Sequence, residues 1–596
     1  MTRLISLFSN PHTPSRQGSR GSGWVSALSD AVVIAGILAL LGLISLALPG
    51  ITERTGAAGL PITVSTDIAQ LPYYALRSVV RMLVAMMASL AFSLLFGLAA
   101  ARCRRARPAL IALLDVLQSV PVLGFLSATV TIWLALFPHS MLGAEAASVF
   151  AIFTSQAWNM AYSFYRSLSS EPAELVEMAR SLRLTRWQRF WKLDMPCSMV
   201  PLLWNAMMSM GGSWFFLTAS EMISVNRRTI ALPGIGSFVA ACGAEGNTAG
   251  ILAAIAMMAG VVLALDFLLW KPLTAWGERF RLGNAPAEEC ESAVLTLLRR
   301  SHLPRMLGRV AAPVAEGLDR AMRVLGVTGG RGGAGVRSGS KGEPGRLGGK
   351  VADALWAVAV GGALLALAVR LVTYLAGSLG PAQMGEVVAL GLLTFLRVAA
   401  LTIVCSLIWV PVGVIIGMNE RVARVAQPIV QLLASFPANF AFPFVVGALA
   451  ALHLGLGVGS IVLMALGSQW YILFNVIAGA SVIPADLREL ARSLQLPAHL
   501  RWTRIYLPAV IAPWCTGAIA AAGGAWNASI VAEVVTANGA SLSTPGLGSY
   551  IAAATASGNA AETIAGVAVM AALVVLVNRL VWRPLQSWAS RRFTLV

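Results

Sequence analysis

Glu177-Met178-Ala179-Arg180-Ser181-Leu182 and Glu489-Leu490-Ala491-Arg492-Ser493-Leu494 are one stretch written twice, 312 residues apart. The same interval relates Trp270-Lys271-Pro272-Leu273 to Trp582-Arg583-Pro584-Leu585, Pro196 to Pro508, Trp214 to Trp526, and Glu221 to Glu533. It also maps Pro233-Gly234-Ile235-Gly236-Ser237 onto Pro545-Gly546-Leu547-Gly548-Ser549. Upstream, Ser119-Val120-Pro121 pairs with Ser435-Phe436-Pro437, and Arg81 with Arg397, at 316. Four residues of difference in the loop after the third apolar segment account for the change. The chain is a duplication, and each half is one structural unit.

Composition says what kind of unit. A length of 596 residues would ordinarily mean about three to six soluble domains. Apolar residues make up 57% of the chain and charged ones 12%, with a mean hydropathy of +0.75. No soluble core hides that much apolar surface. A bilayer core needs ~20 apolar residues as helix, because lipid offers unpaired backbone groups no partner. Such stretches fall at 31–48, 76–101, 109–137, 146–165, 199–222 and 249–270, then at 351–376, 387–417, 428–452, 456–480, 509–534 and 557–580. The expected fold is an all-α polytopic membrane protein of about twelve transmembrane helices. Six spans per copy is an even number, so the copies are parallel repeats around an axis along the membrane normal.

Charge sets the orientation. Of 44 Lys and Arg, 37 fall on one set of alternate segments: 1–30, 102–108, 166–198, 271–350, 418–427, 481–508 and the end from Arg579. The opposite loops hold three, Arg54, Arg227 and Arg228. Both termini are therefore expected in the cytoplasm of a multi-pass protein of the inner (plasma) membrane. The formal charge of +18 is mostly topology, and nucleic acid is not an expected partner. The domains read as a cytoplasmic segment 1–30, a first repeat 31–283, a cytoplasmic linker 284–350 and a second repeat 351–596. The linker opens with apolar residues at helical spacing over Ser292–Leu325, arginines opposite. It ends in 326–350, where 11 of 25 residues are glycine. Six scattered cysteines without a Cys-x-x-Cys pair predict neither disulfide nor metal site.

The most polar repeated feature is the inner loop between spans four and five. Copy one runs Glu171-Pro172-Ala173-Glu174-Leu175-Val176-Glu177 through Leu182 to Leu193-Asp194-Met195-Pro196. Copy two runs Pro484-Ala485-Asp486 through Leu494 to Leu507-Pro508. Acidic residues crowd the start of each, as a helix dipole favours. Each loop predicts a short helix, a bend, and a second helix entering the membrane near its proline.

These residues resemble the EAA loop of binding-protein-dependent ABC importer permeases, with the motif glutamate 19 residues before the proline in both copies. Trp-(x)6-Glu followed by Pro-Gly-[Ile/Leu]-Gly is similar to the nitrate/sulfonate/taurine branch of type I importers. The resemblance covers about 76–276 and 390–588. It implies two permease units fused in one chain, importing a small solute by alternating access, the branch favouring an anion such as nitrate, a sulfonate or taurine. It also implies a dimer of cytoplasmic ATPases that binds ATP and Mg and docks on the two loops. Glu174, Glu177, Ala179, Arg180 and Leu182, with Glu489, Ala491, Arg492 and Leu494, would carry that contact, the small alanines allowing close packing. An extracytoplasmic solute-binding protein would deliver the solute. The pattern's glycine, which would permit a left-handed bend, is Arg183 in one copy and Gln495 in the other. No cofactor is expected in this chain: Gly335-Val336-Arg337-Ser338-Gly339-Ser340-Lys341 lacks the Gly-Lys-Ser/Thr ending of a phosphate loop. The chain therefore reads as a transport subunit and not an enzyme.

Polar and aromatic residues repeated within spans are the candidate pathway: Ser119, Trp214 and Glu221, with Ser435, Trp526, Asn527 and Glu533. Glu221 and Glu533 either face the path or bond to the backbone of the following loop. Arg81 and Arg397, in the outer part of the second spans, either attract an anion or, as the favoured reading, snorkel. The alternative class is a secondary transporter of the major-facilitator kind, also built from two parallel six-helix halves. It would carry an Asp-Arg-rich signature between spans two and three, where this chain has Arg102-Cys103-Arg104-Arg105-Ala106-Arg107. A membrane enzyme would want clustered His, Asp or Glu within the spans, and five scattered histidines do not supply it.

Overall fold

The computed structural model describes residues 64–280 and 346–592, apart from 104, 120–121, 138–139, 183, 226–227 and 538–539, together with 29–36, 38, 42, 45, 292–301 and 317. The cytoplasmic segment 1–28, much of the expected first span and most of the linker lie outside the described residues.

Ten main elements frame the first repeat among the described residues. Helices α1 (Leu71–Arg102), α2 (Arg107–Ser119), α3 (Val122–Leu136) and α4 (Met141–Ser169) are followed by the short α5 (Ala173–Ser181). Then come α6 (Met195–Ser220), the hairpin β1 (Met222–Val225) and β2 (Arg228–Ala231), α7 (Ile235–Glu245) and α8 (Thr248–Leu265). The linker contributes α9 (Ala293–Arg300). The second repeat opens with α10 (Arg346–Ser378) and then echoes the first. It runs α11 (Pro381–Gly417), α12 (Glu420–Ser435), α13 (Phe442–Ala451), α14 (Leu456–Ser481), α15 (Ala485–Ser493) and α16 (Leu507–Ala532). It closes with the hairpin β3 (Val534–Ala537) and β4 (Ala540–Ser543), α17 (Leu547–Ser557) and α18 (Ala560–Val577).

Among the described residues seven helices are long and apolar enough to cross a membrane, or eight if one bent pair is a single span. Hydropathy along the sequence predicts twelve. Two that do not qualify, α4 and α6, have 29 and 26 residues but bury polar side chains such as Glu145, Gln156, Ser209 and Thr218. The bent pair is the second repeat's third span, whose two arms meet at 80° around Pro437. Phe436 is extended (φ −77°, ψ 131°), as the residue before a proline prefers, and helix cannot run through it. The two hairpins depart from an all-α expectation. They form where β-branched residues (Ile223, Val225, Thr229, Ile230; Val534, Val535, Thr536) follow the fifth spans.

Prolines also explain the π turns. Phe190–Asp194 and Trp502–Tyr506 precede Pro196 and Pro508; Asp266–Trp270 and Asn578–Trp582 precede Pro272 and Pro584. A proline ring clashes with the carbonyl one turn back, and a wider turn moves that carbonyl aside. Each repeat has its own apolar core, and each core takes aromatic packing from the other half. Phe440, beside the Pro437 break, is buried in the first core, and Phe215 of α6 packs on the second. The third span of each repeat packs across the dyad: α12 on α6, and α3 on α16.

Candidate functional site

The inner loops take the expected form. Pro172 caps α5, and the helix ends after nine residues when Leu182 donates to the Met178 carbonyl (2.9 Å) and Leu184 to that of Ala179 (3.1 Å). In copy two, Leu494 donates to Leu490 (2.9 Å) and Leu496 to Ala491 (3.1 Å). The left-handed residue that makes this exit possible is Gln495, at φ +47°. A glutamine there costs about 1–2 kcal/mol more than glycine would. Arg183, its counterpart, lies outside the described residues. Two faces result. Met178 and Leu182 stand 52% and 63% exposed, and their counterparts Leu490 and Leu494 stand 54% and 61%. Glu174, Glu177, Arg180 and Glu489 are exposed around them, while the Arg492 side chain is not described. Ala179 and Ala491, expected to admit a partner, instead face inward at 4% and 3% exposure, on the flank of the helix next to the apolar pair.

A second constellation lies at the end of each fifth span. Glu221 and Glu533 are fully buried. The Glu221 carboxylate accepts from Arg81 (2.8 Å), Ser78 (2.5 Å) and the Gly236 amide (2.6 Å). Ser78 in turn accepts from the Ile235 amide (3.1 Å). Glu533 accepts from Arg397 (2.9 Å), Thr394 (2.8 Å) and the Ser549 amide (3.1 Å), and Thr394 accepts from Leu547 (2.8 Å). These carboxylates sit on the N-termini of α7 and α17, where free amides welcome an anion. The repeated Pro-Gly-[Ile/Leu]-Gly makes room: a Cβ on Gly234 or Gly546 would overlap the carboxylate itself. Arg81 and Arg397 are 2% and 8% exposed, so neither snorkels. A buried guanidinium is held by a carboxylate rather than by water.

The third site is the seam between repeats. A cavity of about 310 Å³ opens there, lined by Trp204, Met207, Gly211 and Trp214 of α6 and by Gln431 and Ser435 of α12. It meets a smaller one reaching Tyr471 of α14. Gly211 and Gly212 allow the approach, since Cβ atoms on them would lie 2.6 Å from the Ser435 hydroxyl and 2.7 Å from that of Tyr471. Two cross-repeat hydrogen bonds flank the span breaks. The Val122 amide donates to Asn527 Oδ1 (2.8 Å), and Asn439 Nδ2 donates to Thr218 Oγ1 (2.8 Å). The structure thus brings Trp214 and Ser435 to one cavity and Asn527 to the rim of the opposite break. Ser119 closes α2, Trp526 is buried in the second core, and Glu221 and Glu533 bind their own repeats.

Residues 93–269 and 410–594 both match the family described as binding-protein-dependent transport system inner membrane component. The chain belongs to this family. Two matched units in one polypeptide agree with the 312-residue repeat. Relatives that the chain resembles are a nitrate import permease protein of Leptolyngbya laminosa (26% identical, 31% of this chain, 63% of the relative) and a bicarbonate transport system permease protein of Synechococcus elongatus (28%, 33% of this chain, 66% of the relative). A taurine transport system permease protein of Escherichia coli is 25% identical over 33% of this chain and 68% of its own length. The chain spans just under two thirds of the length of the first two of these relatives.

This family member also carries charged groups that its repeat pattern does not flag. Arg77 and Glu145 extend the first outer clamp: Glu145 pairs with both Arg77 and Arg81. On the inner side Arg102, Glu171, Arg189 and Asp194 converge. None of these pairs repeats at 312 or 316, which is why self-similarity passes over them. A Glu within an apolar span and an Asp one residue before a membrane-entering helix are the signals that could have found them. The Gly211-Gly212 and Gly523-Gly524 pairs do repeat at 312 and are legible in the sequence.

Proposed function

We propose that this chain supplies both halves of the permease of an ABC importer, moving a small anion inward by alternating access driven by a separate ATPase dimer. The observation that carries the reading is the pair of solvent-exposed apolar knobs, Met178/Leu182 and Leu490/Leu494, each on a nine-residue helix joining spans four and five. Large apolar side chains at matched positions, rimmed by Glu174, Glu177 and Arg180 or by Glu489, mark a docking surface. Ala179 and Ala491 seat each helix on its own repeat, so that a push on the knob reaches the bundle. ATP and Mg bind on the partner, and a solute-binding protein serves the opposite face. Both termini lie in the cytoplasm of the inner membrane.

Transport follows the seam. Trp214 and Ser435 line the path, with Trp526 and Ser119 at the pseudo-equivalent places and Asn527, whose counterpart is Phe215, beside them. Glu221 and Glu533 serve it from outside, by holding the α7 and α17 hairpin units to the second spans. The named cargoes of the relatives (nitrate, bicarbonate, taurine) support a small anion as the solute. The test is Leu182→Glu with Leu494→Glu. These exposed changes are expected to move unfolding by less than ~0.5 kcal/mol, yet to abolish both ATPase loading on membranes and uptake. Normal loading by the double variant would remove these helices as the docking surface.

A further inference from the structure

The inner ends of the two repeats are held by different chemistry. In the first, Arg102 at the end of α1 donates to Asp194 (2.7 Å) and lies 3.8 Å from Glu171. Arg189 donates to Asp194 (3.3 Å) and to Glu171 (2.9 Å). The two carboxylates are buried, at 3% and 2% exposure, and the two arginines are partly exposed. Four charges thus join three segments: the end of the second span, the residue before the cap of α5, and the bend that leads into α6. In the second repeat the equivalent positions are Met418, Ile483, Arg501 and Tyr506. Arg501 keeps its place without either acid, and its buried Nε–H has no hydrogen-bond partner among the described residues. What remains there among the described residues is two long bonds, from Arg488 to the Met418 carbonyl and from Ser481 to the Gly417 carbonyl, each 3.3 Å, and the buried Ile483 side chain.

We infer that Arg102, Glu171, Arg189 and Asp194 are positioning residues that fix the orientation of the first coupling helix, and that the second coupling helix, seated by apolar contact and two long hydrogen bonds to backbone carbonyls, tilts more freely. Apolar burial holds Ile483 in place but is non-directional. Charge-assisted hydrogen bonds fix direction as well as distance. The stroke of the ATPase therefore enters the first half as a rigid push and the second through a hinge. This rests on the docking role proposed above for α5 and α15.

Distance measurements between spin labels test it on the full chain in nanodiscs, without ATPase. One label pair replaces Cys103 and Ser181, the other the equivalent Asn419 and Ser493; all four are exposed. The first pair is expected to give the narrower distance distribution. Asp194→Asn should broaden it to resemble the second, and Asp194→Glu should restore it. Ile483→Glu with Tyr506→Asp, which rebuilds the acids around Arg501, should narrow the second. Equal widths in the unaltered chain, or a graft that leaves the second width unchanged, overturn the inference. The graft does not depend on how well Asp194→Asn folds. In the reconstituted importer Asp194→Asn should lower solute moved per ATP hydrolysed at unchanged ATPase loading; an unchanged ratio also counts against the inference. Failure of the unaltered chain to load ATPase at all would instead refute the docking reading and leave the distance result standing.

Discussion

The two outer clamps do the same job with unequal means. In the first repeat Arg81 has two carboxylates, Glu221 and Glu145, with Arg77 also on Glu145. In the second, Arg397 has Glu533 as its one carboxylate among the described residues, and its other bond goes to the Thr544 hydroxyl (3.1 Å). Where the first repeat has Glu145, the second has Gly457. What duplication preserved is the backbone geometry, meaning the glycines at the carboxylate, the helix N-termini and the proline-driven π turns. What diverged is the number of charges placed on that geometry. The shared minimum, one Arg, one Glu, one hydroxyl and one backbone amide, is what the fold requires to bury the joint.

The contrast can be broken most sharply by removing one acid from each half. Glu533→Ala strands Arg397 without a carboxylate and should cost about 3–5 kcal/mol, the usual penalty for an orphaned buried charge. Glu221→Ala leaves Arg81 paired with Glu145 and should cost about 1–3 kcal/mol, mainly for unsatisfied donors. Thermal unfolding in nanodiscs reads both, and equal losses would mean that Glu145 does not back up the first clamp. Gly234→Ala and Gly546→Ala should be matched, at about 1–3 kcal/mol each, since each methyl collides with the same carboxylate. A large difference between them would show that the two joints differ in backbone and not only in charge.

The smallest effect is a pH dependence confined to the first inner loop. Burial first, and the neighbouring Asp194 carboxylate second, push the Glu171 carboxyl above its ordinary value, against the pull of Arg102 and Arg189. Its folded value lies above its unfolded one, so the folded state binds the proton more tightly. That contribution is full below the ordinary carboxylate range and is lost as pH rises through the folded value. Hydrogen exchange of residues 173–181 should therefore quicken as pH rises through that window, after correction for intrinsic rates, and Glu171→Gln should flatten the response. Residues 485–493, with Ile483 in place of the acid, should show none.

Much of this architecture is legible in the amino-acid sequence because the repeat prints it twice. The offset of 312 alone locates the inner loops, the π-turn prolines, the buried glutamates and the Pro-Gly-[Ile/Leu]-Gly turn. Arg81 and Arg397 are located by the same self-similarity, but their environment is not. Hydropathy places an arginine near a membrane face, and only tertiary contacts reveal the carboxylate that lets it stay inside. Ala179 and Ala491 are likewise found by the repeat but face the opposite way from the expectation, since a nine-residue helix has too few turns to declare its buried face from pattern alone. The seam cavity is beyond the reach of sequence. It depends on how α6 crosses α12, which helical period within either repeat does not encode.

The permease proposed above takes its stroke from outside this chain. The most direct test is solute uptake into proteoliposomes holding the purified chain with its ATPase and binding protein. Accumulation that requires ATP hydrolysis, and persists when ion gradients are collapsed, is the predicted result. Accumulation by this chain alone, driven by an imposed ion gradient with no nucleotide consumed, would contradict it.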